Sequence, residues 1–325
     1  MSDVRAGVIG VGSMGRHHAR VYSELLGVDL VGVSDANPEN AVSVAEAYDA
    51  EPLGVDELLS KVDVVSIAVP TEYHYEMAEK AIDAGVDLLV EKPFVADFEK
   101  GRELVRRAEA ADVRLQVGHI ERFNPAIRAL GDVLDDDEAV LTISAERLGP
   151  PLDRDVSDPV TKDLMIHDVD VVLSLLDQDV LDASAVTNHD GQYTTATLEF
   201  DGGCVGRLTA SRITQEKVRQ LTVGTESRRI KVDYIDQSVR IRRRSRPEFV
   251  EEDGDVRYHH EGVVEEVAVD STEPLKAQLR SFVDAATDGT EPEVTGEAAL
   301  RVLEVVDQIE TAAGSKGTAP DSLVQ

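Results

Sequence analysis

The 325-residue chain contains no tryptophan and a single cysteine, Cys204. One thiol excludes an internal disulfide framework and any cysteine-based zinc site. No apolar run approaches the ~20 residues that a membrane-spanning helix requires. The first residues, MSDVRAG, pass straight into a folded pattern, with no basic stretch followed by an apolar one. No secretory leader is expected, and the expected compartment is the cytoplasm. Positive charge is also scarce. Against 64 acidic residues stand 33 basic ones, of which only nine are lysine, for a net charge of −31. The acids are spread along the whole chain rather than gathered in a tail. Such a surface repels nucleic acid and anionic membranes, and it repels itself at low ionic strength. It becomes tolerable where salt shortens the screening length to about 3 Å, near 1 M. A salt-rich cytoplasm, hence a halophilic protein, is the expectation.

What is present is ample apolar material, 42% of the residues, in a chain long enough for two domains. Over the first 120 residues short apolar runs alternate with helical periods. Strands are expected at 6–10, 28–35, near 52, 62–69, 86–92 and 113–119. Helices are expected over 13–25, from Asn37–Pro38 to about 48, and over 55–61, 72–85 and 97–110. Strand–helix alternation with continuous apolar strands predicts a parallel sheet covered on both faces. After Arg122 the pattern changes. A helix from Asn124–Pro125 to about 134 is followed by DDDE (135–138) as a turn and a strand at 139–148. A helix over 160–177 comes next. β-type segments then run at 182–189, 193–200, 203–213, 218–224, 228–235, 238–244 and 256–269. Helices at 273–287 and 295–313 and a frayed AAGSKGTAPDSLVQ close the chain. The expected fold is α/β: a Rossmann domain (doubly wound parallel sheet) over 1–121, then an α+β domain with a large, mostly antiparallel sheet over 122–325.

GVGSMG (10–15) fits G-x-G-x-x-G, and it follows a predicted strand and opens a predicted helix, the context that gives the pattern meaning. Gly10 permits the tight turn, Gly12 lets the backbone approach a pyrophosphate, and Gly15 allows close helix–sheet packing. The backbone N–H groups of Val11, Ser13 and Met14 then belong to the anion site. Asp35, 20 residues past Gly15 at the end of the second strand, can accept both ribose hydroxyls and repels a 2′-phosphate. DANPEN (35–40) offers no Arg or Lys to such a phosphate. NAD is therefore favoured over NADP. His17 is expected to face solvent and His18 the helix–sheet contact, both in packing roles.

VDLLVEKPF (86–94) places Glu91, Lys92 and Pro93 at the carboxyl end of a parallel strand, where open α/β sheets bind their ligands. AVPTEYH (68–74) ends the preceding strand at the same edge, so Val69, Pro70, Thr71 and His74 join the cofactor-lining set. DLMIHDVD (163–170) places Asp163, His167 and Asp170 along one helical stripe, with Asp168 elsewhere. Three readings are open: a metal site, a buried ion pair, or a proton-transfer site. No second His or carboxylate cluster elsewhere has ligand spacing, so no metal is expected.

GVGSMGRHHA, AVPTEYH, EKP and D-x-x-x-H-x-x-D occur in the order found in the Gfo/Idh/MocA oxidoreductases, which the chain resembles over essentially its full length. QVGHIERFNPAI (116–127) resembles, more narrowly, the archaeal and bacterial branch that oxidises the 3-hydroxyl of UDP-N-acetylglucosamine. The resemblance implies hydride transfer between a nicotinamide cofactor and a sugar or cyclitol hydroxyl, and a dimer or tetramer formed through the C-terminal sheet. It implies a catalytic set of Lys92, Asp163 and His167. A base with a pKa near the working pH is what removal of a hydroxyl proton requires. His167 meets that need unperturbed, and a charged Lys92 stabilises a developing alkoxide. Which of the two is the base stays open, as does the substrate. A sugar nucleotide, a free sugar or cyclitol, and a non-catalytic dinucleotide sensor are the competing expectations. Arg122 and Asn124, where the chain enters the second domain, are candidate substrate contacts, although Asn124 is also explained as a helix N-cap. VRIRRRSRP (239–247) is expected to pair with acid-rich strands such as GVVEEVAVD (262–270) rather than with nucleic acid. His259 and His260 are expected at a strand surface.

Overall fold

The computed structural model describes residues 3–134, 138–151, 158–188, 191–243, 248–252, 255–259 and 263–315. The chain divides into two compact units. The first comprises residues 1–123 and 272–304, the second 124–271 and 305–325.

The first unit begins with β1 (Val4–Ile9), α1 (Ser13–Glu24), β2 (Val28–Ser34), α2 (Pro38–Tyr48), β3 (Glu51–Pro52) and α3 (Val55–Leu59). It continues with β4 (Val64–Ile67), α4 (His74–Asp83), β5 (Asp87–Glu91), α5 (Phe98–Ala111) and β6 (Leu115–Gly118). All six strands pair in parallel, in the order β3-β2-β1-β4-β5-β6. This is the doubly wound order whose reversal, between β1 and β4, opens a crevice at the carboxyl ends of the strands. β4 is buried along its whole length, as a strand covered on both faces must be. Helix ends follow from local chemistry. Asn37 caps α2 by accepting from the Glu39 N–H (3.0 Å), with Pro38 as first helical residue. Asp97 caps α5. At the other ends Asp49 and Asp112 take the left-handed conformation (φ 55° each) that glycine usually supplies. Aspartate is among the few residues that tolerate it, so even helix stops are acidic.

The second unit holds α6 (Pro125–Leu134), β7 (Thr142–Leu148), α7 (Ile166–Leu176), β8 (Val180–Asn188), β9 (Tyr193–Phe200) and β10 (Val205–Ser211). Then come β11 (Val218–Gly224), β12 (Arg228–Asp233), β13 (Ser238–Arg243), β14 (Glu248–Glu252), β15 (Asp255–His259) and β16 (Val263–Val267). Eight of these strands form one sheet, ordered β16-β13-β12-β11-β7-β10-β9-β8. Only β7 and β10 pair in parallel. One face is a buried apolar layer that includes Ile143, Leu198, Leu208, Leu221, Ile230 and Ile241. β12 and β13 pack against α6, and β7 and β10 against α7. The other face keeps Val186 and Val205 exposed. The arginine-rich β13 finds the acidic partner strand expected of it: Arg240 donates to Glu266 (3.0 Å) and Arg243 to Glu265 (2.8 Å).

Several expectations need correction. The single strand over 256–269 is two, and β14, which was not anticipated, pairs with β15. The helix over 160–177 begins with a π-turn, Thr161–Met165. Arg244 and Arg246 of the arginine run, His260, residues 135–137 of the DDDE turn and the tail from 316 lie outside the described residues. By packing, α8 (Pro274–Asp288) and the first half of α9 (Gly296–Ser315) count with the first unit. Leu275, Leu279, Phe282 and Val283 of α8 fill the α1 side of the parallel sheet beside Tyr22 and Leu30. Val294, Ala299 and Leu300 fill the α5 side beside Leu104 and Val117. Among the described residues no helix is long and apolar enough to cross a membrane.

Phe282 is fully buried. Phe282→Ala should therefore destabilise the first unit by about 3–5 kcal/mol, read as a lowered denaturant midpoint. A midpoint within error of the parent would mean that α8 is not part of this core.

Candidate functional site

The carboxyl ends of β1, β2, β4, β5 and β6 bring Gly10, Asp35, Val69, Glu91 and Gly118 to one edge of the parallel sheet. Gly10 has φ +86°, and a Cβ there would stand 2.7 Å from the Val69 nitrogen. A Cβ on Gly15 would stand 1.8 Å from the Gly10 carbonyl oxygen, inside any contact distance. At Gly12 a Cβ would meet nothing within 4 Å. The first and third glycines are thus forced by protein contacts, and the middle one by none. Open space at Gly12 adjoins the start of α1, which has no side-chain cap and no acid in its first turn. Unpaired N–H groups and the positive end of the helix dipole are what a pyrophosphate needs. Ser13 is exposed and Met14 half-buried, whereas Val11 is buried and its N–H is taken by the Asp35 carboxylate, so Val11 does not supply the anion donor expected of it.

Asp35 is half-buried. Its Oδ2 accepts from the Val11 N–H (2.8 Å) and its Oδ1 from the Asn37 N–H (2.8 Å). The acid therefore stiffens the glycine turn and keeps further lone pairs for hydroxyl donors. These residues fit an adenine dinucleotide.

Pro70 is exposed and Thr71 half-buried, at the head of a short turn, Thr71–Tyr73, leading into α4. His74 is not presented to a ligand, because it is buried. Its Nε2 lies 2.9 Å from the Val69 carbonyl oxygen and its Nδ1 2.9 Å from that of Pro93. It clips together the ends of β4 and β5. Glu91 is likewise turned inward, 8% exposed, with Oε1 3.1 Å from His18 Nε2. Its Oε2 accepts from the Lys92 N–H (3.2 Å). Burial pushes the Glu91 carboxyl up, but the His18 hydrogen bond and the nearby charges outweigh it and hold the group below the usual carboxylate range. Lys92, half-buried, is followed by a cis peptide bond to Pro93. Arg122 is half-buried.

In the second unit Asp163 and His167 are both half-buried, whereas Asp168 and Asp170 are buried. Arg212, 5% exposed, donates to Asp163 Oδ2 (2.6 Å) and to the Asp158 carbonyl (2.7 Å). This bracket spans the start of the segment, which opens as a π-turn, a geometry frequent at functional sites. Asp168 is taken by a two-point ion pair with Arg147 (2.8 and 2.9 Å). Asn124 is buried, capping α6 through the Ala126 N–H (3.1 Å) and donating to the Tyr234 carbonyl (3.2 Å). Its side chain serves the chain rather than a ligand. Arg212 and Arg147 are functional neighbours that sequence reasoning misses, Gly118 is noted only within QVGHIERFNPAI, and His18 is expected only in packing. Arginines in β-type segments and a glycine ending a strand carry no local signature.

The glycine geometry has a direct test. Gly12→Ala should fold as the parent does yet lose dinucleotide affinity by at least about tenfold, or 1.4 kcal/mol, in a titration with fluorescent NADH. Gly15→Ala should instead lower the denaturant midpoint. Unchanged NADH affinity in Gly12→Ala would remove the turn from the site.

Comparison with known proteins agrees with this geometry. Residues 4–119 match the family described as "Oxidoreductase family, NAD-binding Rossmann fold", and residues 152–319 match its "C-terminal alpha/beta domain". The chain is 34% identical over 319 residues to the UDP-N-acetylglucosamine 3-dehydrogenase of Acidithiobacillus ferrooxidans, covering 96% of this chain and 98% of that protein. A solved structure of that enzyme superposes with a TM-score of 0.88, covering 97% of this chain and 99% of that one. The inositol 2-dehydrogenase of Rhizobium meliloti is 28% identical over 323 residues, 94% of this chain and 95% of that protein. With both domains matched and the relatives spanned end to end, the chain belongs to the Gfo/Idh/MocA family of oxidoreductases.

Proposed function

We propose that this protein is an NAD-dependent dehydrogenase that oxidises a sugar hydroxyl to a ketone. Its substrate is the 3-hydroxyl of UDP-N-acetylglucosamine or of a closely related sugar nucleotide. The observation that carries this reading is the end-to-end likeness to a UDP-N-acetylglucosamine 3-dehydrogenase, at 34% identity and a TM-score of 0.88. A free cyclitol or sugar is the second reading, favoured by the 28% identity to an inositol 2-dehydrogenase.

A bound nicotinamide supplies the hydride acceptor. The turn from Gly10 to Gly15 and the Asp35 carboxylate hold the dinucleotide, and the lack of any cation in DANPEN favours NAD over NADP. His167 accepts the hydroxyl proton, and the Lys92 ammonium lowers the energy of the developing alkoxide. Asp163, fixed by Arg212, orients the sugar or the imidazole. Arg122 contributes to substrate binding. A net charge of −31 opposes a nucleotide diphosphate until salt screens it, so full activity belongs to concentrated salt and a cytoplasm that contains it. The exposed face of the eight-stranded sheet, with Val186 at 61% and Val205 at 46% exposure, supports assembly of a homodimer or homotetramer through that sheet.

Reduction of NAD and of NADP, assayed with UDP-N-acetylglucosamine, glucose and myo-inositol at low and molar salt, tests this reading. NAD should be reduced with the sugar nucleotide, and faster in molar salt. Turnover only of inositol would select the second reading, and no turnover would indicate a dinucleotide sensor. Highest activity at low salt would refute the salt assignment. Lys92→Ala and His167→Ala should each lower turnover by about 100-fold or more with NADH affinity nearly unchanged. Parental turnover in either variant would refute its role.

A further inference from the structure

His18 and Glu91 form a buried pair that the chemistry above does not use. His18, on α1, is fully buried. Its Nε2 lies 3.1 Å from Glu91 Oε1. A carboxylate can only accept, so Nε2 carries the proton and the ring's tautomer is set. His18 Nδ1 is buried without a hydrogen-bond partner among the described residues, so Glu91 is the group that holds the ring. The second oxygen of Glu91 accepts from the main-chain N–H of Lys92 (3.2 Å). Room for this carboxylate exists because Gly118, its neighbour on β6, lacks a side chain: a Cβ there would lie 2.8 Å from Oε1.

These contacts connect two places that the reaction needs in register. α1 starts at the dinucleotide turn, and Lys92 follows β5. Four residues beyond His18 on α1, the Tyr22 hydroxyl lies 2.8 Å from Ser66 Oγ of β4, so the same helix face is pinned to two successive strands. From the far side His74 holds the Pro93 carbonyl (2.9 Å). A buried carboxylate is costly to desolvate, and an apolar pair of equal volume is often as stable or more so. Stability alone therefore does not account for it.

We propose that His18 and Glu91 are positioning residues that tie the dinucleotide-binding helix to the main chain of Lys92. This deepens the dehydrogenase reading and rests on it for its effect on turnover. The mechanical link itself does not depend on that reading.

Two measurements separate them. The link is read by amide hydrogen exchange at Lys92 in the full-length protein. Glu91→Ala, which removes the acceptor, should speed exchange there by about tenfold, equivalent to 1.4 kcal/mol, while the amides of β4 keep the parental rate. Unchanged exchange at Lys92 overturns the proposal whether or not any sugar is oxidised. The catalytic consequence is read as the ratio of parent to variant turnover, so an inactive parent counts against the dehydrogenase reading and leaves exchange to decide this one. Glu91→Gln should lower kcat by about tenfold or more with NADH affinity within about twofold. The double replacement His18→Leu with Glu91→Leu should keep the parental denaturant midpoint and remain slow. If kcat returns with stability in the double variant, the pair is structural and the proposal fails.

Discussion

The first unit depends on one steric constraint, the approach of α1 to the turn after β1. A Cβ at Gly15 would sit 1.8 Å from the Gly10 carbonyl oxygen, so only glycine lets the helix begin where it does. From that start follow the direction of the uncapped N–H groups, the reach of His18 to Glu91, and the reach of Tyr22 to Ser66. Shifting the helix outward to admit a methyl group would break these polar contacts together. The ligand turn and the lysine after β5 are parts of one packing arrangement.

The parts of the site legible in the sequence are those whose chemistry is local. A glycine turn between a strand and a helix, an acid at the end of β2, and a lysine following an apolar strand all declare themselves within a few residues. The parallel sheet was legible for the same reason, since strand–helix alternation repeats along the chain. What escaped depends on partners far away in sequence. His18 reads as packing until Glu91, 73 residues on, is placed opposite it. Arg212 meets Asp163 across 49 residues, at a helix start that simple periodicity draws as regular and that is a π-turn. α8 is plainly amphipathic, but amphipathicity does not say which sheet a helix will cover. The long interval separating α8 from β6 concealed that it closes the first unit.

The charge distribution shows a division of labour. With basic residues so few, the most buried of them are used as fixed partners of acids. Arg147 holds Asp168, Arg212 holds Asp163, and Arg228 holds Glu138. Arginine suits this use because its planar fork can make two parallel hydrogen bonds, as it does with Asp168. Glu138 shows the effect on ionisation. Burial would raise its carboxyl, yet hydrogen bonds from Thr225, Ser227 and Arg228 bring it down to about 2. The excess acids lie outward and at helix ends, where Asp49, Asp112 and Asp177 occupy left-handed stops. Fold-specifying polar contacts and the solvated acidic surface therefore place separate demands on the sequence.

The chemical claim at the centre is that one carbon–hydrogen bond, at C3 of a sugar nucleotide, is broken and its hydrogen leaves with both electrons. UDP-N-acetylglucosamine carrying deuterium only at C3, incubated with NAD in molar salt, tests it most directly. The account expects reduced nicotinamide that contains the deuterium by mass spectrometry, and a sugar nucleotide lighter by one deuterium and one hydrogen. Reduced nicotinamide free of deuterium, or a sugar that keeps its label, would contradict it.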